Sequence, residues 1–127
     1  MPAHSARGPS QRQLRVGELI RRTLAEVLSR GDIHDEDLAR VSVTVGEVRT
    51  SPDLRQAHVH VTPLGGKNAD TVVAALNRNA AELRRAVNRQ MTLKYSPHLK
   101  FVYDRTFDQM DETRRLLNQD AVKRDIE

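Results

Sequence analysis

The pattern that most restricts the fold of this chain lies in residues 41–64, where apolar and polar side chains alternate on either side of a turn. Such alternation is typical of β-strands with one buried and one open face. The apolar positions are Val41, Val43 and Val45 in the first run and Ala57, Val59 and Val61 in the second. Between the runs, Ser51, Pro52 and Asp53 favour a turn, because proline presets φ and the polar side chains bond to nearby backbone. Residues 41–64 therefore predict a β-hairpin.

A long amphipathic helix is predicted before the hairpin, over residues 11–30. Ser10 and Gln13 have the spacing of a capping box, and Gly31 is suited to end the helix. The apolar positions on one side of this helix are Leu14, Val16, Gly17, Ile20, Leu24, Val27 and Leu28. Because the opposite side is charged, the helix is expected to pack one face against a core.

A second helical stretch and a third strand are predicted after the hairpin. Asn68 is suited to cap the helix, and apolar residues recur with helical spacing over residues 69–90. Ser96-Pro97 interrupts that pattern, and the apolar positions of residues 99–103 then alternate as expected for a strand. The resulting element order is α-β-β-α-β, which places the chain in the α+β class.

Composition restricts the kind of partner that this chain can bind. Its 127 residues support one domain, and with aromatic residues at only 3% the sheet lacks the exposed aromatic rows that stack bases in common RNA-binding sheets. Residues 1–103 hold sixteen basic and ten acidic side chains, a net charge of +6, which indicates an anionic partner. The lack of cysteine and of any long apolar run predicts a soluble, cytoplasmic protein.

The arginines of the second helical stretch are the main candidates for contact with that partner. Arg78, Arg85 and Arg89 share its polar side, and Arg84 and Lys94 are near them in sequence. Like charges four residues apart destabilise a helix by roughly 0.2–0.5 kcal/mol, so an anion is expected nearby. An ordinary solvated helix face explains the same pattern and remains an alternative. The second candidates, on the first helix, are Arg12, Arg15 and Arg22.

The other polar clusters indicate neither a metal site nor an enzyme. His58 and His60 lie two apart on the open face of a strand, and without a fixed third ligand they are interpreted as facing solvent or RNA. The connector after the first helix holds four carboxylates, interpreted as solvated charge, at Asp32, Asp35, Glu36 and Asp37. Because the chain has no glycine-rich phosphate loop and no nucleophile elbow, we expect no enzymatic activity and no cofactor.

Four segments together resemble the bacterial ribosome-binding factor A family. They read QLRVGELIRRTLAEVL, VSVTVGEVRTSPDLRQAHVHVTPLG, ALNRNAAELRRAVNRQM with TLKYSPHLKFVYD, and FDQMDETRRLL, and they span about residues 11–117. The resemblance implies a type II K-homology-like (KH-like) fold, α-β-β-α(α)-β, with a three-stranded sheet and helices packed on one face. The KH-like domain is assigned to residues 10–104. Composition predicts a flexible N-terminus at 1–9, and the few apolar residues of 105–127 predict a charged tail that is partly helical or mobile.

Members of the family are ribosome assembly factors, and the resemblance implies the same role here. They bind the free or immature 30S subunit and support maturation and 5′-end processing of 16S rRNA, especially in the cold, without catalysis. The implied partners are the 30S subunit and 16S rRNA, with a functional link to ribosome-assembly GTPases, and the chain is expected to act as a monomer away from membranes. Arginines on both helical stretches would then bind rRNA phosphates.

Two departures from related folds concern the second helical stretch and its surroundings. KH domains that read single strands use a G-x-x-G loop, which this sequence does not contain. The family also tends to have an Ala-x-Gly kink, whereas this chain has Asn79-Ala80-Ala81, so sequence leaves open whether the helix bends there.

Two other functions remain open from sequence. A general binder of duplex DNA or RNA would need only the basic helices. A protein-interaction adaptor would instead use the hairpin edge or the acidic tail to recruit partners by strand addition.

Overall fold

The computed structural model describes residues 8–66, 68–90 and 97–104, and it confirms the predicted α+β fold. Its main elements are α1 (Gln11–Arg30), β1 (Val43–Thr50), β2 (Gln56–Pro63), α2 (Ala69–Arg78), α3 (Ala80–Gln90) and β3 (His98–Tyr103). A short 3-10 turn, Leu64–Gly66, joins β2 to the segment before α2. The expectations for residues 1–7, for Lys94 and for the tail at 105–127 lie outside the described residues.

The three strands form one sheet in the order β1-β2-β3. β1 pairs with β2 in antiparallel fashion, as the hairpin pattern predicts, and β2 pairs with β3 in parallel. The register shifts between Val45, opposite Val61, and Val48, opposite Val59, so two residues of β1 face His60 alone. This is a β-bulge, which increases the local twist of the strand.

A single hydrophobic core lies between one face of the sheet and the helices. The strands contribute alternate residues to it, including Val45, Val59 and Phe101, while the residues between them remain more exposed. The helices contribute their apolar sides, so Ile20 and Leu83 belong to the same cluster. The predicted packing of helices on one face is therefore confirmed for α1, α2 and α3, and none of the described elements covers the other face of the sheet, called here the open face.

The ends of α1 follow the sequence signals closely. The Ser10 hydroxyl accepts from the Gln13 amide at 3.2 Å, and the Gln13 side chain accepts from the Ser10 amide at 2.8 Å, which completes the capping box. Gly31 takes the left-handed conformation, with φ of 71°, and ends the helix. One expectation was wrong: Leu14 is 55% exposed, because the first turn of α1 extends beyond the core.

The second helical stretch is two helices, separated at Asn79. Asn79 has φ of −100° and ψ of 14°, and its side-chain amide donates to the Ala75 carbonyl at 2.8 Å. The Asn79 side chain thus hydrogen-bonds the last turn of α2, at the break between the two helices. Sequence had left open whether the helical stretch bends here. Asn68 is left-handed and makes no side-chain cap bond, so the predicted capping of α2 was wrong.

The exposed edge of β3 is protected by a side chain from α2. The Asn77 amide nitrogen donates to the Phe101 carbonyl at 2.9 Å, and its oxygen accepts from the Phe101 amide at 2.8 Å. Unpaired groups on an edge strand are a template for association with another chain. Asn77 therefore replaces a missing strand at the middle of β3.

The chain path gives the domain two different ends. At the hairpin end, Gln13 of α1 donates to the Thr50 carbonyl at 2.9 Å, and the amide of His98, where β3 begins, donates to the Arg55 carbonyl at 2.8 Å. At the connector end, residues 31–42 lead from α1 into β1. α3 begins beside Asp35 at the connector end, and β3 begins at the hairpin end, so α3 carries the chain back toward the hairpin.

Candidate nucleic-acid interface

Basic side chains from several elements collect at the hairpin end. Arg49 lies near the end of β1, Arg55 lies in the hairpin loop, and Lys100 lies near the start of β3. The first turns of α1 and the second half of α3 carry the remaining members, which are Arg12, Arg15, Arg85 and Arg89. The carboxylates at this end, Asp53 and Glu47, are fewer, so the hairpin end is a basic surface.

Arg85 and Arg89 on α3 are the best placed of the sequence candidates. Both are exposed, and neither forms an ion pair with any residue of 8–66, 68–90 or 97–104. Glu82 lies one turn before Arg85 and two turns before Arg89; it is also exposed and pairs with neither arginine. Arg84 is half-buried, which points its guanidinium less freely outward. Arg85 and Arg89 therefore have no carboxylate partner among the described residues. Because their like charges repel each other on α3, a bound anion would stabilise them.

The three candidate arginines on α1 differ in whether a carboxylate pairs with them. Arg12 and Arg15 are exposed in the first turns and form no ion pair with the described part of the chain. Arg22 donates to Glu18 at 3.3 Å, and Glu18 also accepts from Arg21 at 2.9 Å. The Arg21 hydrogen bond, with help from Arg22, lowers the pKa of Glu18 to about 2. Glu18 stays ionised and offsets part of the charge of Arg22, so Arg12 and Arg15 are the stronger pair.

Arg78 has a different position from the one its sequence pattern indicates. Its guanidinium donates to both oxygens of Asp35, at 2.8 and 2.9 Å, and to Asp37 at 3.1 Å. It is thus separated from Arg85 by the break at Asn79 and holds the connector against the junction of α2 and α3. The predicted stripe of three arginines is divided between two helices, and only Arg85 and Arg89 of that stripe lie together on one helix.

Asp35 is a structural residue, which corrects its interpretation as solvated charge. Its side chain is only 12% exposed, and it accepts from the Asn79 amide at 2.7 Å as well as from Arg78. These bonds, that of Asn79 first, lower the pKa of Asp35. Sequence spacing could not reveal this contact, because Asp35 and Asn79 are 44 positions apart.

Three further features of the described residues concern metal sites, membrane spans and a cavity. No group of three His, Asp or Glu side chains in this part of the chain is placed to hold a metal ion, and none of its helices is long and apolar enough to cross a membrane. A cavity of about 830 Å³ lies between α1, the connector and the start of β1, with Leu28 and Val41 among its walls. Its charged lining is mixed, since Asp35 and Glu36 lie there together with Arg40, so the cavity is not a uniformly basic site for an anion.

Comparison with known sequences gives one consistent result. A family model described as Ribosome-binding factor A matches residues 12–117. A ribosome-binding factor A from Paracoccus denitrificans is 66% identical over 124 residues, covering 98% of this chain and 90% of the relative. A second, from Ruegeria sp., is 64% identical over 124 residues and covers 98% and 95%.

Solved structures agree with the sequence relatives. The crystal structure of ribosome-binding factor A from Thermus thermophilus matches with a TM-score of 0.64 and 26% identity, over 74% of this chain and 97% of that one. A homology model of the Thermus thermophilus factor, fitted into a cryo-EM map of its complex with the 30S subunit, matches with a TM-score of 0.54 and 28% identity. That match covers 68% of this chain and 88% of the other.

Proposed function

Because the chain belongs to the ribosome-binding factor A family, we propose that it binds the free or immature 30S subunit and docks on 16S rRNA. The observation that carries this proposal is the basic surface at the hairpin end, where Arg85 and Arg89 lie without carboxylate partners among the described residues. Guanidinium groups bind phosphate oxygens through paired hydrogen bonds, and each phosphate so neutralised releases counterions.

The surface favours recognition of RNA shape over reading of individual bases. Its arginines come from α1, α3 and the hairpin, so their spacing is fixed by the fold and matches only a backbone of suitable curvature. Structured rRNA presents such fixed arrays of phosphates, whereas a flexible single strand does not. Arg12 and Arg15 on α1 act with Arg85 and Arg89 on α3, while Arg84, Arg22 and Lys94 remain secondary candidates.

In this role the protein acts by binding alone. Docking on the immature subunit holds an rRNA segment in position, which supports 16S maturation and 5′-end processing by other enzymes in the cytoplasm. Growth in the cold increases the need for such support, because misfolded RNA helices rearrange more slowly at low temperature. The ribosome-assembly GTPases are the functional partners expected for release, and the domain acts as a monomer.

Comparison of two RNA targets tests the proposal. The affinity of the purified chain is measured for free 30S subunits and for random-sequence RNA duplex, at the same salt concentration. Docking on a specific rRNA shape predicts much tighter binding to 30S subunits, by about a thousandfold, the lower limit of the ratio seen for specific nucleic-acid binders. Equal affinity for both targets would contradict the proposal and would support a general basic nucleic-acid binder.

A deletion separates the proposal from an adaptor that works through its tail. Removal of residues 105–127 is expected to leave most of the affinity for 30S subunits, because the basic surface lies within residues 8–104. Loss of binding in the shortened chain would favour the adaptor.

A further inference from the structure

The open face of the sheet carries histidine and lysine side chains that have no part in the proposed docking through α1 and α3. Three of the five histidines of the chain lie on it: His58 and His60 on β2 and His98 on β3. Lys100 lies beside His58 in the register, and Gln56 lies beside His98. All of these residues except His60 are exposed. We call His58, His98 and Lys100 the open-face cluster.

The members of the open-face cluster do not stabilise the fold through their side chains. His58, His98 and Lys100 form no side-chain hydrogen bond or ion pair with any described residue. His58 and His98 are diagonal neighbours on adjacent strands, with Cα atoms roughly 8 Å apart at ordinary strand spacings. The sheet thus presents two imidazole rings and one ammonium group to solvent on a rigid frame.

Carboxylates lie beside this cluster rather than within it. Arg49, which faces His58 from β1, is paired with Glu47 at 3.1 Å, so that pair adds little net charge. The carboxylate of Asp104 lies near Gly46, where an added Cβ would be 3.2 Å from it, and Gly46 belongs to the bulge nearer the connector end. On the half of the open face at the hairpin end, Lys100 therefore has no carboxylate partner among the described residues.

Flat rings beside a cation are the elements of a site for unpaired nucleotides. Imidazole is among the side chains on which splayed bases stack, and a neighbouring lysine binds the phosphate between them. A regular duplex offers no base faces for such stacking, so the cluster favours single-stranded RNA. The same sheet position is used by aromatic side chains in common RNA-binding sheets, and here histidines occupy it.

We propose that the open-face cluster binds a short single-stranded RNA segment by stacking bases on His58 and His98 and holding a phosphate at Lys100. This inference extends the proposed docking on rRNA, since it gives the domain a second surface on the side of the sheet opposite the helices. The arginines of α1 and α3 bind structured RNA, and the open-face cluster binds an unpaired strand next to it.

The test measures binding of a labelled, unstructured oligoribonucleotide about ten nucleotides long, within the range that one small domain covers. Replacement of both rings, His58→Ala with His98→Ala, is expected to weaken binding about 25-fold or more, from about fivefold for each stacked base. The variant His58→Phe with His98→Phe is expected to retain binding, because the rings still stack. Thr44→Ala, on the open face at the connector end, is the control and is expected to bind as the wild type does.

Two results would overturn the inference. One is unchanged oligonucleotide binding in the double alanine variant, and the other is an equal loss in the phenylalanine variant, since stacking would then play no part. Circular dichroism and thermal unfolding of each variant show whether it is folded, and all three positions are exposed. Failure here differs from failure of the proposed function, because affinity for 30S subunits is measured on the unaltered chain.

Discussion

Gly17 sets the distance between α1 and β1. A Cβ atom at this position would lie 2.6 Å from the backbone carbonyl oxygen of Val48, well inside van der Waals contact. Val48 is the first residue of β1 after the bulge, so this close contact between helix and strand lies where the register has just shifted. The glycine is thus required by close approach of two backbones, and not by a turn.

Substitution Gly17→Ala is expected to lower the free energy of unfolding by up to about 2 kcal/mol. Alanine improves helix propensity by about 1 kcal/mol, but separation of α1 from a backbone atom costs about 1–3 kcal/mol, and the second effect is larger. Urea denaturation measures the difference, with Ser29→Ala on the exposed side of α1 as the control. An alanine variant at least as stable as the wild type would show that moving α1 away from β1 costs no more than the gain in helix propensity.

Local sequence signals were sufficient to predict the structural roles of some residues but not of others. Ser10 and Gly31 were predicted correctly because capping depends on a few neighbouring residues. The prediction for Leu14 was wrong because the extent of the core decides whether this side chain is buried. The prediction for Asn68 was wrong because the path of the chain before α2 decides its conformation. The roles of Gly17 and Asn77 were not predicted, because each depends on a strand that is distant in sequence.

At the scale of elements, the connector and the junction of α2 and α3 stabilise each other. Asp35 accepts from Arg78 and Asn79 at once, and the amide of Asp37 donates to Asp35 at 3.0 Å, which fixes the carboxylate in the loop. The break between the helices therefore has two causes, the Asn79 bond to Ala75 and its bond to the connector. Sequence predicted the helical content of residues 69–90 correctly but left the break open, because the family's Ala-x-Gly signal is absent and the contact with Asp35 is distant in sequence.

Substitution Asp35→Asn is expected to destabilise the fold at about pH 7, and to do so less at about pH 3, below the unfolded pKa of about 3.9. The pKa of Asp35 is lowered in the folded chain, so its charge stabilises the fold above the unfolded pKa. That contribution is lost as the pH falls through the folded pKa. Asparagine keeps one acceptor oxygen and replaces the other with an NH2 donor, so it removes the charge together with the hydrogen bonds that the second oxygen accepts.

Urea denaturation at the two pH values gives the measurement for Asp35. Glu36→Gln, an exposed neighbour without a described partner, is the matched control and is expected to leave stability unchanged at both. A difference between Asp35→Asn and the wild type that persists undiminished at acid pH would show that charge is not the cause. The same contacts make Arg78 unsuitable for tests of RNA binding, since its loss disturbs the junction.

At the scale of the whole molecule, the domain is electrically uneven because of how the chain is folded. α1 and α3 lead the chain in opposite directions, so the start of α1 and the end of α3 lie toward the same end of the sheet as Arg49 and Lys100. The acidic connector is placed at the other end, where Asp35 uses the charge of Arg78. Composition predicted a basic domain, but only strand register and helix direction show where the charge collects.

The most direct test of this account is co-sedimentation with 30S subunits after charge reversal at the two ends. The account predicts that Arg85→Glu with Arg89→Glu weakens binding at least tenfold and reduces the salt dependence of log K by about 1.8, for two phosphate contacts. Arg30→Glu with Arg40→Glu, at the connector end, changes the net charge equally and is expected to bind nearly as the wild type does. Undiminished binding of the Arg85/Arg89 variant, or an equal loss in the Arg30/Arg40 variant, would contradict the claim that the hairpin end meets the rRNA.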